Sequence, residues 1–226
     1  MITTDAEIKM VKKVSESLFL LSVTLERYKP WVPGMFVQIS LMKKTASEPW
    51  LDGHSFSFAS WGSNRAYILV RKEGVFTTTL IDLSRDTFIT SVRYPFGDFL
   101  LNSLESKVLI AGGAGVSVFL SYLDYLRSAN EVAVDVLLVH SVKRQSESVK
   151  NIYTNGIPKN VSIKQFVTKS DELEYTGRPD FKVIQNSIPN LNGREYFICG
   201  PQKFNSYWRI QLMNFGINPK IEQWEN

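Results

Sequence analysis

A chain of 226 residues, 44% hydrophobic and 21% charged, has room for two cores of roughly 100 to 130 residues each and is too apolar to be disordered. Its net charge of +4 is spread along the chain, which reads as solvated surface, and no nucleic acid is expected as a partner. The single cysteine, Cys199, excludes an intramolecular disulfide, a zinc pattern with the distant His54 and His140, and a plant-type iron–sulfur cluster, which takes four thiolates.

Residues Met1 to Lys13 lack the apolar core and cleavage site of a secretory signal. The longest apolar stretches, such as Val132 to Val139, fall well short of the roughly 20 residues of a membrane helix. The expected setting of the chain is soluble and cytoplasmic. From Leu21 to Leu25 apolar residues alternate with Ser22, Thr24 and Glu26, the mark of a half-buried strand. Similar runs at Met35 to Leu41, Ser55 to Ser60, Arg65 to Arg71 and Thr87 to Arg93, broken by turns at Lys29-Pro30, Pro33-Gly34 and Trp61 to Asn64, predict an antiparallel barrel. Past Leu100 the rhythm changes. Buried runs at Val108 to Ala111, Val132 to His140, Val161 to Val167 and Tyr196 to Cys199 alternate with helical patterns at Val116 to Leu126 and Phe204 to Met213. Strand, helix, strand predicts a parallel sheet of about five strands. The boundary falls between residues 103 and 104, giving domains 1–103 and 104–226.

The sharpest local signal is VLIAGGAGVSVFLSYL, in which a buried strand meets Gly112, Gly113, Ala114 and Gly115 and passes through Val116 and Ser117 into a helix. Glycines let a phosphate approach the backbone, and a helix N-terminus attracts it; the same glycines could serve close packing alone. Cys199, followed by Gly200 and Pro201, ends a strand at the carboxyl edge of the sheet, where open α/β folds bind ligands. A buried cysteine there also reads as a small hydrophobe. In the first half, Phe56 between His54, Ser55 and Ser57 offers either a stacking face with polar neighbours or one aromatic of the core. Arg71 and Lys72, just before Gly74, Val75, Phe76 and Thr77, are phosphate-binding cations or exposed charges at a strand end. After the strand ending at His140, Ser141, Lys143 and Arg144 follow with no acidic residue to hold a free ribose hydroxyl, and Arg178 lies on a later loop. Those cations favour a 2′-phosphate, and so NADPH over NADH, with NADH still accommodated.

The order of these motifs resembles the ferredoxin–NADP reductase superfamily, in particular its NADPH oxidase and ferric reductase branch. The resemblance runs through Pro33-Gly34-Met35-Phe36-Val37, His54 to Ser57, Gly74 to Thr77, Tyr94-Pro95-Phe96-Gly97, Ala111 to Phe119, Gly177-Arg178-Pro179 and Cys199-Gly200-Pro201. Ser55, Val118 and Tyr94 stand where the family has proline, proline and glycine, changes that loosen turns without deleting polar contacts. The resemblance implies a six-stranded FAD-binding barrel followed by a Rossmann-like NADP-binding domain. It implies that Ser57 bonds near flavin N5, that His54 lies by the ribityl and phosphate chain, that Cys199 lies against the nicotinamide without acting as a nucleophile, and that Trp224 covers the flavin. A terminal tryptophan tucked into a groove is the other reading of Trp224. The implied activity is hydride transfer from NADPH to FAD. The implied acceptor is the haem of a transmembrane domain, with this module at the cytoplasmic face of the membrane. A self-sufficient flavin or ferric-chelate reductase, and a flavin-binding electron-transfer subunit without turnover, are the alternatives.

Overall fold

The computed structural model describes residues 1–222 except 104, 130–133, 170, 172, 174 and 175. It divides into two compact units, Met1–Asn102 with Leu120–Tyr125, and Ser103–Phe119 with Leu126–Asn226.

The first unit is a six-stranded antiparallel sheet of β1 (Ile2–Lys13), β2 (Leu18–Leu25), β3 (Phe36–Ile39), β4 (His54–Ser57), β5 (Arg65–Arg71) and β6 (Phe88–Phe96), in the order β4-β3-β6-β1-β2-β5. A bridge between Phe58 and Ile68 brings the two edge strands together, so the sheet is nearly closed. Five of these strands follow the alternation in the sequence. β1, which pairs with both β2 and β6, is the sixth strand that the resemblance implies and the apolar pattern does not locate: Thr4, Ala6 and Ile8 turn inward while Glu7 and Lys9 stay outside. Inside, Trp31 stacks on Phe58 at 4.2 Å and its indole N–H donates to the Ser60 carbonyl at 3.1 Å. Tyr94 is fully buried with its hydroxyl satisfied, donating to the Arg27 carbonyl at 2.6 Å and accepting from the Lys29 N–H at 2.8 Å. Burial raises its phenol above the ordinary tyrosine value.

Between β5 and β6 the chain forms α1 (Val75–Leu83), a nine-residue helix where the sequence pattern predicts only a turn. Leu80 and Ile81 are its buried residues.

The second unit is a parallel sheet of β7 (Ser106–Gly112), β8 (Val136–Val142), β9 (Val161–Val167), β10 (Arg194–Cys199) and β11 (Lys220–Glu222), ordered β11-β10-β7-β8-β9. A 3-10 turn at Gly113–Val116 leads from β7 into α2 (Ser117–Ala129); α3 (Val149–Ile152), α4 (Phe181–Gln185) and α5 (Gln202–Met213) complete the unit. One sheet face, carrying Val108, Ile110, Leu137, Val139 and Ile198, packs against Phe181 and Ile184 of α4 and Trp208 and Leu212 of α5. On the other face Leu109, Ala111, Leu138, His140 and Cys199 are also fully buried, which is why these strands read as unbroken apolar runs. Among the described residues no helix is long and apolar enough to cross a membrane.

Candidate functional site

In the barrel, β4 carries His54, Ser55, Phe56 and Ser57. The exposed His54 ring stacks on Phe76 at 3.8 Å with 14° between planes, and Phe56 lies 6.3 Å from the same ring. Phe56 is itself a member of the barrel core. Ser57 is 2% exposed, and its hydroxyl oxygen is buried with no hydrogen-bond partner. A buried hydroxyl left without a partner costs about 1–3 kcal/mol, which makes Ser57 a candidate for a hydrogen bond from a ligand.

The Gly74–Thr77 segment is the start of α1. Thr77 Oγ1 accepts from the N–H groups of Glu73 and Gly74 at 3.0 and 3.2 Å, which tightens the entry to the helix. Helix geometry leaves the N–H groups of Val75, Phe76 and Thr77 without intrahelical partners. Gly74 is extended, at φ −176°, and a β-carbon there would meet open space, so the fold does not require glycine at this position. Arg71 ends β5, with Nη1 donating to Ser17 Oγ at 3.0 Å, and Lys72 follows it, exposed.

In the second unit the glycine loop and the Cys199 segment meet. A β-carbon on Gly115 would stand 2.7 Å from the carbonyl carbon of Cys199 and closer still to its oxygen. Gly112 and Gly200 both lie under the Phe204 ring, at 2.9 and 2.7 Å for a β-carbon. These three glycines are therefore required by packing. Gly113 is the residue of the loop in the left-handed region, at φ +56°. The loop runs through Ala114, Val116 and Ser117 into α2, with its N–H groups at the carboxyl edge of the sheet. Cys199 is fully buried in the same row as Ala111 and His140.

The cations expected at the adenosine end take different neighbours. Ser141 is the penultimate residue of β8 and half-buried, and Lys143 and Arg144 follow the strand, exposed. Arg144 lies close enough to Asp171 to help hold its carboxyl below the usual range, an effect led by the hydrogen bond from Lys169. Arg178 is near enough to Tyr207 of α5 for its charge to oppose the rise of that phenol, which burial and then Asp180 push up. Pro201 caps α5 at its N-terminus. Trp224 lies outside the described residues. His140, which carries no site motif in the sequence, is fully buried against the glycine loop, with Nε2 3.0 Å from the Gly113 carbonyl oxygen. Among the described residues no group of three or more His, Cys, Asp or Glu side chains could hold a metal ion.

No family model matches the chain. It is 23% identical to a flavohemoprotein of Bordetella pertussis over 92% of this chain and 57% of that protein, and 26% identical to a flavodoxin/ferredoxin–NADP reductase of Buchnera aphidicola over 95% of this chain and 90% of the relative. The chain thus spans a little over half the length of the Bordetella flavohemoproteins it matches. Among solved structures, a Malassezia yamatoensis flavohemoglobin superposes with a TM-score of 0.78 at 19% identity, covering 98% of this chain and 60% of its own. A ferredoxin NADP+ reductase of Neisseria gonorrhoeae gives 0.73 at 14% identity, covering 95% and 92%. In fold, the chain is ferredoxin reductase-like: a nearly closed six-stranded antiparallel barrel and a parallel-sheet unit, as in these structures.

Proposed function

We propose that the chain is a flavin-dependent NAD(P)H oxidoreductase module, with FAD held by the barrel and NAD(P)H by the parallel-sheet unit. The observation that carries this reading is the buried, unpartnered hydroxyl of Ser57 on β4, set in the strand that also bears His54 and Phe56. It fits a flavin ring edge, which offers both hydrogen-bond donors and acceptors to a serine. The Buchnera relative, named a flavodoxin/ferredoxin–NADP reductase, and the Malassezia structure, described with bound FAD and heme, support the same reading.

When bound together, NAD(P)H and FAD supply hydride transfer and the onward release of electrons. The protein's own residues bind and orient. Ser57 takes the polar edge of the flavin ring. His54 and Phe76 present an aromatic pair to the flavin's chain. The open backbone at Gly74 and the N–H groups of Val75 to Thr77, with Arg71 and Lys72 beside them, take the FAD pyrophosphate. Residues Gly112 to Ser117 take the dinucleotide pyrophosphate, Ser141, Lys143, Arg144 and Arg178 its adenosine end, and Cys199, Gly200 and Pro201 the nicotinamide. Trp224 is assigned to the flavin face on the resemblance alone. No side chain acts as acid or base.

The electrons go on to a haem. The likeness to flavohemoproteins supports that acceptor, and the haem-bearing transmembrane segment of an NADPH oxidase or ferric reductase is the form we favour. Mixing the purified chain with FAD and adding NADPH under anaerobic conditions tests the core of the proposal. The visible absorbance of the flavin should bleach, and a band that persists would sink the reading.

A further inference from the structure

His140 is fully buried near the carboxyl end of β8, in register with Ala111 of β7 and Gln165 of β9. Its Nε2 faces the Gly113 carbonyl oxygen at 3.0 Å, a group that can only accept, so Nε2 carries a proton. Its Nδ1 lies 3.2 Å from Gln165 Oε1. Two further bonds fix the orientation of that amide. Gln165 Nε2 donates to the His140 carbonyl at 3.1 Å, and the Val149 N–H donates to Gln165 Oε1 at 3.4 Å. Turning the amide over would set oxygen against oxygen at the first contact and N–H against N–H at the second. Nδ1 therefore also faces an acceptor. A neutral ring has one proton and would leave a lone pair pointing at an oxygen, whereas the imidazolium meets both partners.

We propose that His140 is a positioning residue of the dinucleotide site, held as the imidazolium, which fixes the Gly113 carbonyl and with it the 3-10 turn Gly113–Val116. The positioning role rests on the proposed use of the glycine loop for the dinucleotide pyrophosphate. Gly113 takes its left-handed conformation at the point where its carbonyl meets the ring. A buried cation is costly unless it is hydrogen-bonded and faces opposite charge. Here both protons go to oxygen atoms, which holds the ring as the cation in the free protein, and an anion at the loop adds an opposite charge. On the elements around the ring, Glu147 is a buried carboxylate two residues before Val149, and Ser148 beside it has a buried hydroxyl without a hydrogen-bond partner. Asp124 lies about two turns along α2, Lys107 at the far end of β7, Lys164 on the alternate face of β9, and Lys143 and Arg144 beyond the end of β8. An anion favours the protonated ring, so dinucleotide affinity weakens as rising pH removes the proton.

Nitrogen-15 NMR of the ligand-free protein tests the protonation directly. The chain has two histidines, and a His54→Gln variant assigns the remaining imidazole signals. Both ring nitrogens of His140 should resonate as protonated at neutral pH; one unprotonated nitrogen overturns the proposal without touching the nucleotide reading. The positioning role is tested with NADH, which carries no 2′-phosphate to titrate. Wild-type affinity should weaken about tenfold from about pH 7 to about pH 9. In His140→Gln, which keeps a neutral donor for Gly113, it should be independent of pH, with circular dichroism confirming the fold. The wild-type pH dependence persisting in that variant overturns the role, as does a wild-type affinity that does not change with pH. If the variant fails to fold, the NMR and the wild-type titration still decide. Failure of wild type to bind NADH at either pH strikes the proposed function and the role together, while the NMR result stands apart.

Discussion

Gly115 and Cys199 occupy space that only a glycine at position 115 leaves open: a β-carbon there would stand 2.7 Å from the Cys199 carbonyl carbon. The contact is with backbone, which cannot swing aside as a side chain can. Gly115→Ala should therefore cost about 1–3 kcal/mol of stability, the usual range for overpacking, and weaken NADPH binding by displacing the 199–200 segment. Denaturant unfolding and nucleotide titration check it. Gly74→Ala is the contrast, because its backbone is extended and its surroundings are open. It should unfold within about 1 kcal/mol of wild type, the span between glycine and alanine as a helix N-cap, while FAD affinity falls.

Ser57→Ala should separate stability from activity. Removing a buried hydroxyl that has no partner should leave the ligand-free protein unchanged or more stable by about 1 kcal/mol. Flavin reduction by NADPH should slow about tenfold, the worth of one hydrogen bond of about 1.4 kcal/mol. A variant that loses stability and keeps its rate would place Ser57 in the core alone.

Arg144→Ala should weaken NADPH about tenfold and change NADH less than about twofold, as expected if a charge-assisted bond to the 2′-phosphate is lost. Binding of both nucleotides, measured side by side, decides it. Arg178 acts on a different group, Tyr207, and its alanine variant should be scored separately.

Glu195 predicts an acid limb of stability. Burial, its largest single influence, pushes the carboxyl up, but the bonds from Lys220 and Ser103 and the charge of the buried Lys107 outweigh it and hold the group below its ordinary 4.5. A depressed carboxylate stabilises the fold above its unfolded pKa, and the contribution drains away as pH falls through the folded value. Unfolding at a series of pH values should therefore show the advantage of wild type over Glu195→Gln present at pH above about 5 and shrinking in acid.

Some of this was legible in the sequence for a plain physical reason. β2, β5 and β9 alternate or run apolar in ways that a pleated strand dictates, and the glycine loop stands between a buried strand and a helix. β1 was hidden because one face is Glu7 and Lys9 and the other includes a buried threonine, Thr4. α1 was hidden because it opens on an exposed valine and runs through Thr77, Thr78 and Thr79, poor helix formers; the Thr77 cap and the burial of Leu80 and Ile81 hold it. The pairing of His140 with Gln165 could not be read, since the two lie 25 residues apart and meet only through the register of β8 and β9.

The barrel is sewn along five ladders, and where β4 meets β5 it is held by the Phe58–Ile68 bridge, the Ala59 N–H to the Tyr67 carbonyl at 2.7 Å, and the Tyr67 N–H to Ser60 Oγ at 2.8 Å. Such a collar unclasps at that seam before any ladder parts, so the amides of Ala59 and Tyr67 take up deuterium ahead of those of β1, which is gripped on both sides. The clasp begins one residue past Ser57. Breathing of the barrel would thus loosen the strand next to the unmet hydroxyl, giving the fold a point of admission beside a group that lacks a partner.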